Sequence, residues 1–178
     1  MLYIVTPCSR PQNLQIISES IPPFAKWIVL HEPSVILPTI HNMVAIECPK
    51  TGFVGADGRN YFIENFPLTD DDWIYSLDDD NIVHPKMISV IPDLLDKDFS
   101  IIYWGQLNKN NTIRLVPLDS IIINTIDAAS FISKWKFNKH LRYNTDAYNY
   151  DGLYAIECSK NGPRLKLNDY LCYYNYLR

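Results

Sequence analysis

Short apolar runs alternate with segments of helical periodicity from the first residue onward. Strands that return to one sheet through crossover helices produce this pattern, so it restricts the chain to an α/β fold with a mainly parallel sheet. Leu2 to Val5 is a continuous apolar strand, and Ser9 and Pro11 open a helix carrying Leu14, Ile17 and Ile21 that Pro22-Pro23 ends. Trp27 to Leu30 and Met43 to Ile46 read as strands, and Gly58 to Phe66 as a short helix with Tyr61, Phe62 and Phe66 facing inward. Trp73 to Leu77 is the next strand. Pro85 opens a helix reaching Leu95 that Pro92 is expected to bend, and Ser100 to Trp104 is a strand. The second half is less regular: an Asn-rich turn from Asn108 to Thr112, the β-branched run Ile121 to Ile123, a helix from Asp151 to Lys160, and a tyrosine-rich tail from Tyr170 to Tyr176. No repeat or linker divides residues 1–178, so a single domain is expected, alone or within a longer polypeptide.

Charge narrows the partners. Sixteen Lys and Arg stand against 20 Asp and Glu, a net charge of −4 with no dense basic stripe, which disfavours nucleic acid and anionic membrane surfaces. No basic leader opens the chain, and no apolar run nears the roughly 18 residues of a membrane helix, so a soluble cytoplasmic protein is expected. Cys8, Cys48, Cys158 and Cys172 form no C-x-x-C pair and read as free, mostly buried thiols. Of the four histidines only His84 lies near a charged cluster in sequence.

Two aspartate triplets flank one strand: Asp70-Asp71-Asp72 precedes Trp73, and Asp78-Asp79-Asp80 follows Leu77. In open α/β sheets ligands bind beyond the carboxyl ends of the strands, so the second triplet is the candidate site and the first reads as solvated loop. Adjacent carboxylates at a sheet edge repel one another unless a cation neutralises them. Hard oxygen donors without cysteine or clustered histidine suit Mn²⁺ or Mg²⁺, with open coordination positions for substrate phosphates.

The segment Ile74-Tyr75-Ser76-Leu77-Asp78-Asp79-Asp80-Asn81 resembles the D-x-D signature of nucleotide-sugar glycosyltransferases with the GT-A fold, a Rossmann-like sheet flanked by helices. Its Asp-Asp-Asp-Asn form is similar to that of inverting glucuronyltransferases. Tyr3 to Pro7, Gly58-Arg59-Asn60 and, more weakly, Ile126 to Phe131 match in order, and the small size fits a viral or bacterial sugar transferase. The resemblance implies a metal-dependent, inverting transfer of sugar from a nucleotide donor, UDP-linked in the first instance, to a carbohydrate hydroxyl. It implies that Thr6, Pro7 and Arg10 border the base, that Arg59 or Asp57 lies near the base or ribose, and that Asp78 faces the ribose, with Asp79 beside it at the donor. Asp80, with Asp78, would hold the metal.

An inverting transfer needs a carboxylate to deprotonate the acceptor. Asp151, at the start of a late helix, is where the family places it; capping that helix is the competing role, and Asp146 and Asp127 are reserves. Asp127 is also a candidate for holding a sugar hydroxyl. Trp104, Tyr148 and Tyr150 are candidate sugar platforms, with core packing as the competing use. Two other readings fit the acidic triplet: a metal-dependent phosphohydrolase or nucleotidyltransferase, and a noncatalytic carbohydrate-binding module.

Overall fold

The structure, a computed structural model, describes residues 1–49 and 55–178. Among these, nine strands join in one sheet: β1 (Leu2–Pro7), β2 (Ala25–His31), β3 (Met43–Glu47), β4 (Trp73–Ser76), β5 (Ile82–Val83), β6 (Ile101–Asn108), β7 (Ile113–Leu115), β8 (Phe131–Lys134) and β9 (Arg164–Tyr174). Their order is β3-β2-β1-β4-β8-β6-β9-β5, with β7 paired to β6. The half from β3 to β4 is parallel; β8 runs antiparallel to both neighbours, and β6 and β9 are again parallel. The result is the mixed α/β fold expected from the alternation of apolar runs.

Every residue of β1 is buried, because helices cover both faces of the sheet there. Successive side chains of a strand point to opposite faces. Leu2 and Ile4 therefore enter one core with Trp27, Trp73 and Tyr75, whereas Tyr3 and Val5 enter the other with Ile28, Leu30 and Ile74. On the first face lie α1 (Leu14–Ser20), through Leu14 and Ile17, and α3 (Met87–Val90), through Met87. On the second lie α2 (Ala56–Asn65), through Phe62 and Ile63, and α5 (Tyr150–Lys160), through Tyr154, Ala155 and Cys158. The remaining helix, α4 (Trp135–Asn138), continues β8. Burying each large apolar side chain contributes roughly 1.5–3 kcal/mol, so a few residues fix each helix.

Several local features depart from expectation. Pro92 breaks its helix rather than bending it: α3 ends at Val90 and the chain continues as a 3₁₀ turn over Pro92–Leu94, since proline offers no N–H to the preceding turn. Ile121 to Ile123 belong to no strand and run as irregular chain with Ile122 exposed. Asp70 and Asp71 are solvated, but Asp72 is buried, accepting bonds from the Thr69 N–H at 2.7 Å and hydroxyl at 2.9 Å to close the turn into β4. The four cysteines are free and buried. No helix among the described residues is long and apolar enough to cross a membrane.

The register between β6 and β9 shifts on both sides of Gly105. A Cβ there would lie 2.5 Å from the Leu115 carbonyl oxygen and 2.6 Å from the Tyr170 ring, so three strands meet where only glycine fits. Gly105→Ala is expected to destabilise the fold by about 1–3 kcal/mol, read as a lower denaturation midpoint. An unchanged midpoint would show that β7 yields without cost.

Candidate active site

The carboxyl ends of β1 and β4 lie side by side, because Val5 pairs with Ser76. The loops leaving them are stitched together by Asp79. Its carboxylate accepts from the Ser9 N–H at 2.6 Å, the Ser9 hydroxyl at 2.9 Å, the Arg10 N–H at 2.7 Å and the Arg10 guanidinium, while its carbonyl accepts from Asn13 Nδ2 at 2.8 Å. Asp79 thus holds the first loop against the acidic one, and it also borders the cleft between them. All three aspartates of the triplet reach the cleft, and the middle one also carries the contacts between the two loops.

That cleft has a volume of about 560 Å³ and is walled by Pro7, Arg10, Gly55, the acidic loop, Arg114, Asp127 and residues 148–152. Gly55 sits at φ +85°, a left-handed conformation that glycine adopts without strain, and its bare Cα lets α2 start directly against Pro7. Beneath the floor, Arg59 is 1% exposed. It donates to the Asp78 carboxylate and, at 2.6 Å, to the Tyr150 hydroxyl, and its guanidinium lies 5.7 and 5.4 Å from the Tyr143 and Tyr150 ring centroids. Burial opposes its charge, but Tyr150, Asp78 and Asp151 outweigh that cost, so the guanidinium stays cationic.

Asp80 is buried under two cations. Its Oδ2 accepts from Arg178 Nε at 2.6 Å and from Arg10 Nη1 at 3.2 Å. Across the cleft Asp127 accepts from Gln106 Nε2 at 3.1 Å and pairs with Arg114 Nη1 at 3.2 Å, and the Arg114 guanidinium carbon lies over the Tyr174 ring, 3.4 Å from its centroid. Asp127 also caps the turn Ala128–Ser130 through the Ala129 N–H, so one carboxylate both caps a turn and lines the cleft.

The carboxylates disturb one another. Burial raises the Asp78 pKa to about 6; the Arg59 guanidinium opposes this, while Asp127 and Asp80 reinforce it. Burial likewise pushes Asp151 up to about 8, against the pull of Arg59 and with the added repulsion of Asp127 and Asp78. Asp151 does not cap its helix, since its Oδ1 is buried with no hydrogen-bond partner and Asn149 precedes α5 without a side-chain cap. At neutral pH it is predominantly the neutral acid rather than a ready base.

Of the residues singled out in the sequence, Pro7, Arg10, Asp78, Asp79, Asp80, Asp127 and Asp151 line the cleft. Arg59 supports it from below. Thr6 does not reach it: the side chain is fully buried and its Oγ1 accepts from Trp27 Nε1 at 3.0 Å. Asp57 lies in the first turn of α2, outside the cleft wall, and Asp146 is exposed on a loop outside it. Tyr148, 80% exposed, and Tyr150 border the cleft, whereas Trp104 is core and donates to the Ala129 carbonyl at 3.2 Å. Sequence reading missed Arg114 and Arg178, whose only signal was their basic charge.

Among the described residues no three His, Cys, Asp or Glu side chains are grouped to hold a metal ion. Asp78 and Asp80 nevertheless supply two hard donors, the number Mg²⁺ uses when substrate phosphates fill the rest of its shell. The residues fit a shared metal–phosphate site and not a cage closed by protein alone.

No family model and no curated protein matches the sequence. Solved structures do match in fold. The chain superposes on Francisella tularensis 2-C-methyl-D-erythritol 4-phosphate cytidylyltransferase with a TM-score of 0.54 and 12% identity, over 93% of this chain and 89% of that one. It superposes on a Bacillus anthracis protein described as a glucose-1-phosphate thymidylyltransferase, crystallised with sucrose, with a TM-score of 0.52 and 9% identity, over 96% and 87%. The fold is therefore a Rossmann-like, GT-A-like α/β sheet of the kind nucleotidyltransferases use. These neighbours transfer nucleotidyl groups, which overturns the expectation of glycosyl transfer to a carbohydrate hydroxyl.

Proposed function

We propose that this protein is a nucleotidyltransferase. A nonbridging oxygen of a phosphate monoester would bond to the α-phosphorus of a nucleoside triphosphate, the bond from that phosphorus to the oxygen bridging to the β-phosphorus would break, and pyrophosphate would leave. One observation carries the reading: Arg10, Arg59, Arg114 and Arg178, drawn from four separate parts of the chain, converge on the aspartates around a single cleft at the carboxyl ends of β1 and β4. Guanidinium forks suit phosphate oxygens, and a phosphate acceptor arrives already ionised, so no base is needed.

In this reading Arg10 and Arg178 face the leaving pyrophosphate, and Arg114, seated over the Tyr174 ring, faces the acceptor phosphate. Asp151 donates its proton as a hydrogen bond. Asp78 and Asp80 are the residues that would hold Mg²⁺ or Mn²⁺, which when bound stabilises charge developing on the phosphates. Phosphoryl chemistry of this kind is dominated by positioning and charge, which matches a cleft rich in fixed ionic groups.

The test is pyrophosphate release from each of the four common nucleoside triphosphates with a panel of sugar and polyol phosphates, with products identified by mass spectrometry. The expected result is release that needs both acceptor and divalent cation, reduced about a hundredfold or more in Asp80→Asn. Orthophosphate release without acceptor would instead mark a phosphohydrolase and end the proposal. Sugar binding that persists in EDTA, with no turnover, would favour the noncatalytic module.

A further inference from the structure

We propose that Arg10 and Arg178 are tethered counter-ions that surrender Asp80 when a divalent cation enters with a polyphosphate, so that cation and polyphosphate bind as a coupled pair and neither binds well alone. This rests on the nucleotidyltransferase reading and adds to it the exchange of partners inside the cleft.

Both guanidiniums fasten on the same oxygen, Asp80 Oδ2. The Asp80 side chain is 3% exposed, yet Arg178 is 57% and Arg10 35% exposed, so a sealed carboxylate is covered by cations that already reach solvent. The backbone under Arg178 is held separately, by the Leu177 N–H on the Asp80 carbonyl at 3.0 Å and the Asn175 N–H on Asn81 Oδ1 at 2.8 Å. The guanidinium can therefore swing away while its segment stays docked.

Charge balance supplies the coupling. Among the described residues three arginines and five aspartates line the cleft, with Arg59 beneath, so a bare polyphosphate meets no net positive field from them. A bare cation must break an ion pair that is buried on the carboxylate side. Entering together, the cation takes Asp80, the released Arg178 guanidinium takes phosphate oxygens as a two-pronged donor, and Arg10, still paired with Asp79, turns its remaining N–H groups to them. By linkage each partner then raises the affinity of the other by the same factor.

Three calorimetric titrations of the whole chain test this: Mn²⁺ alone, inorganic triphosphate in EDTA, and preformed Mn²⁺–triphosphate complex. The complex is expected to bind at least about tenfold tighter than either component. In Arg178→Gln, Mn²⁺ alone should bind about tenfold tighter than in the unmodified protein, because a competing cation is gone, while the advantage of the complex shrinks. Arg178→Lys keeps a charge at that site and should leave Mn²⁺ alone weak. Thermal melts establish that both variants fold. Equal affinity in the three titrations, or Mn²⁺ binding unmoved by Arg178→Gln, overturns the exchange. If pyrophosphate release is positive while the titrations are equal, the function stands and only the exchange fails; if complex binding and pyrophosphate release are both absent, both fall.

Discussion

Replacing Arg59 with methionine is expected to lower the melting temperature by about 10 °C, the combined result of a loss near 3 kcal/mol and roughly 2–4 °C per kcal/mol at this chain length. Methionine keeps most of the apolar stem in the space between the Tyr143 and Tyr150 rings, so the change isolates the charge. What is lost is the cation under Asp78, whose carboxylate is crowded by Asp127 and Asp80. Tyr150 also loses a donor at 2.6 Å. Lysine is no substitute, since a single ammonium cannot reach both Asp78 and Tyr150 as a planar fork does. Adding Asp78→Asn to Arg59→Met should recover most of the stability, because the stranded carboxylate disappears with its partner. Such non-additivity is the signature of a coupled pair. Calorimetric melts of the two single variants and the double variant decide it. A double variant as unstable as the sum of the singles would mean that Arg59 acts by packing alone.

That ion pair also marks how far the sequence could be read. The acidic loop was legible because a four-residue strand buried on both faces, Trp73 to Ser76, announces itself as an apolar run, and sheet geometry fixes which end takes a ligand. Arg10 and Arg59 were candidates only through the resemblance of Tyr3 to Pro7 and Gly58-Arg59-Asn60 to GT-A glycosyltransferase segments. Arg178 was not, since it meets Asp80 across 98 residues and depends on β9 crossing the sheet beside β6. β9 itself was hidden because its eleven residues are only partly buried and Gly105 shifts the register beside it, so no clean alternation appears. β8 was hidden because only Phe131 and Ile132 of its four residues are apolar, while Ser133 and Lys134 read as surface though both are buried. The strand-end carboxylates marked a candidate site in the sequence but not the cations that pair with them. The arginines that face those carboxylates come together only in the folded chain.

Asp151→Asn should stabilise the protein at pH 8 and leave it unchanged near pH 4. The folded-state pKa of Asp151 is raised to about 8, whereas an unfolded aspartate titrates near 3.9. Below about pH 4 both states carry the proton and the group contributes nothing to the difference. From there to pH 8 the unfolded chain ionises while the folded chain keeps its proton, so the wild-type protein loses stability steadily as pH rises. Asparagine mimics the neutral acid in shape and removes the titration, so the gap between variant and wild type should open across that window and level off above it. Burial is the principal cause of the shift, reinforced by Asp127 and Asp78 and opposed by Arg59 and the Ala128 N–H. Melting temperatures at half-unit pH steps measure the gap directly, and a gap independent of pH would show that Asp151 is ionised in the folded protein. Mg²⁺ with a nucleoside triphosphate would be expected to narrow the gap, because a cation near Asp78 relieves part of the repulsion that keeps Asp151 neutral.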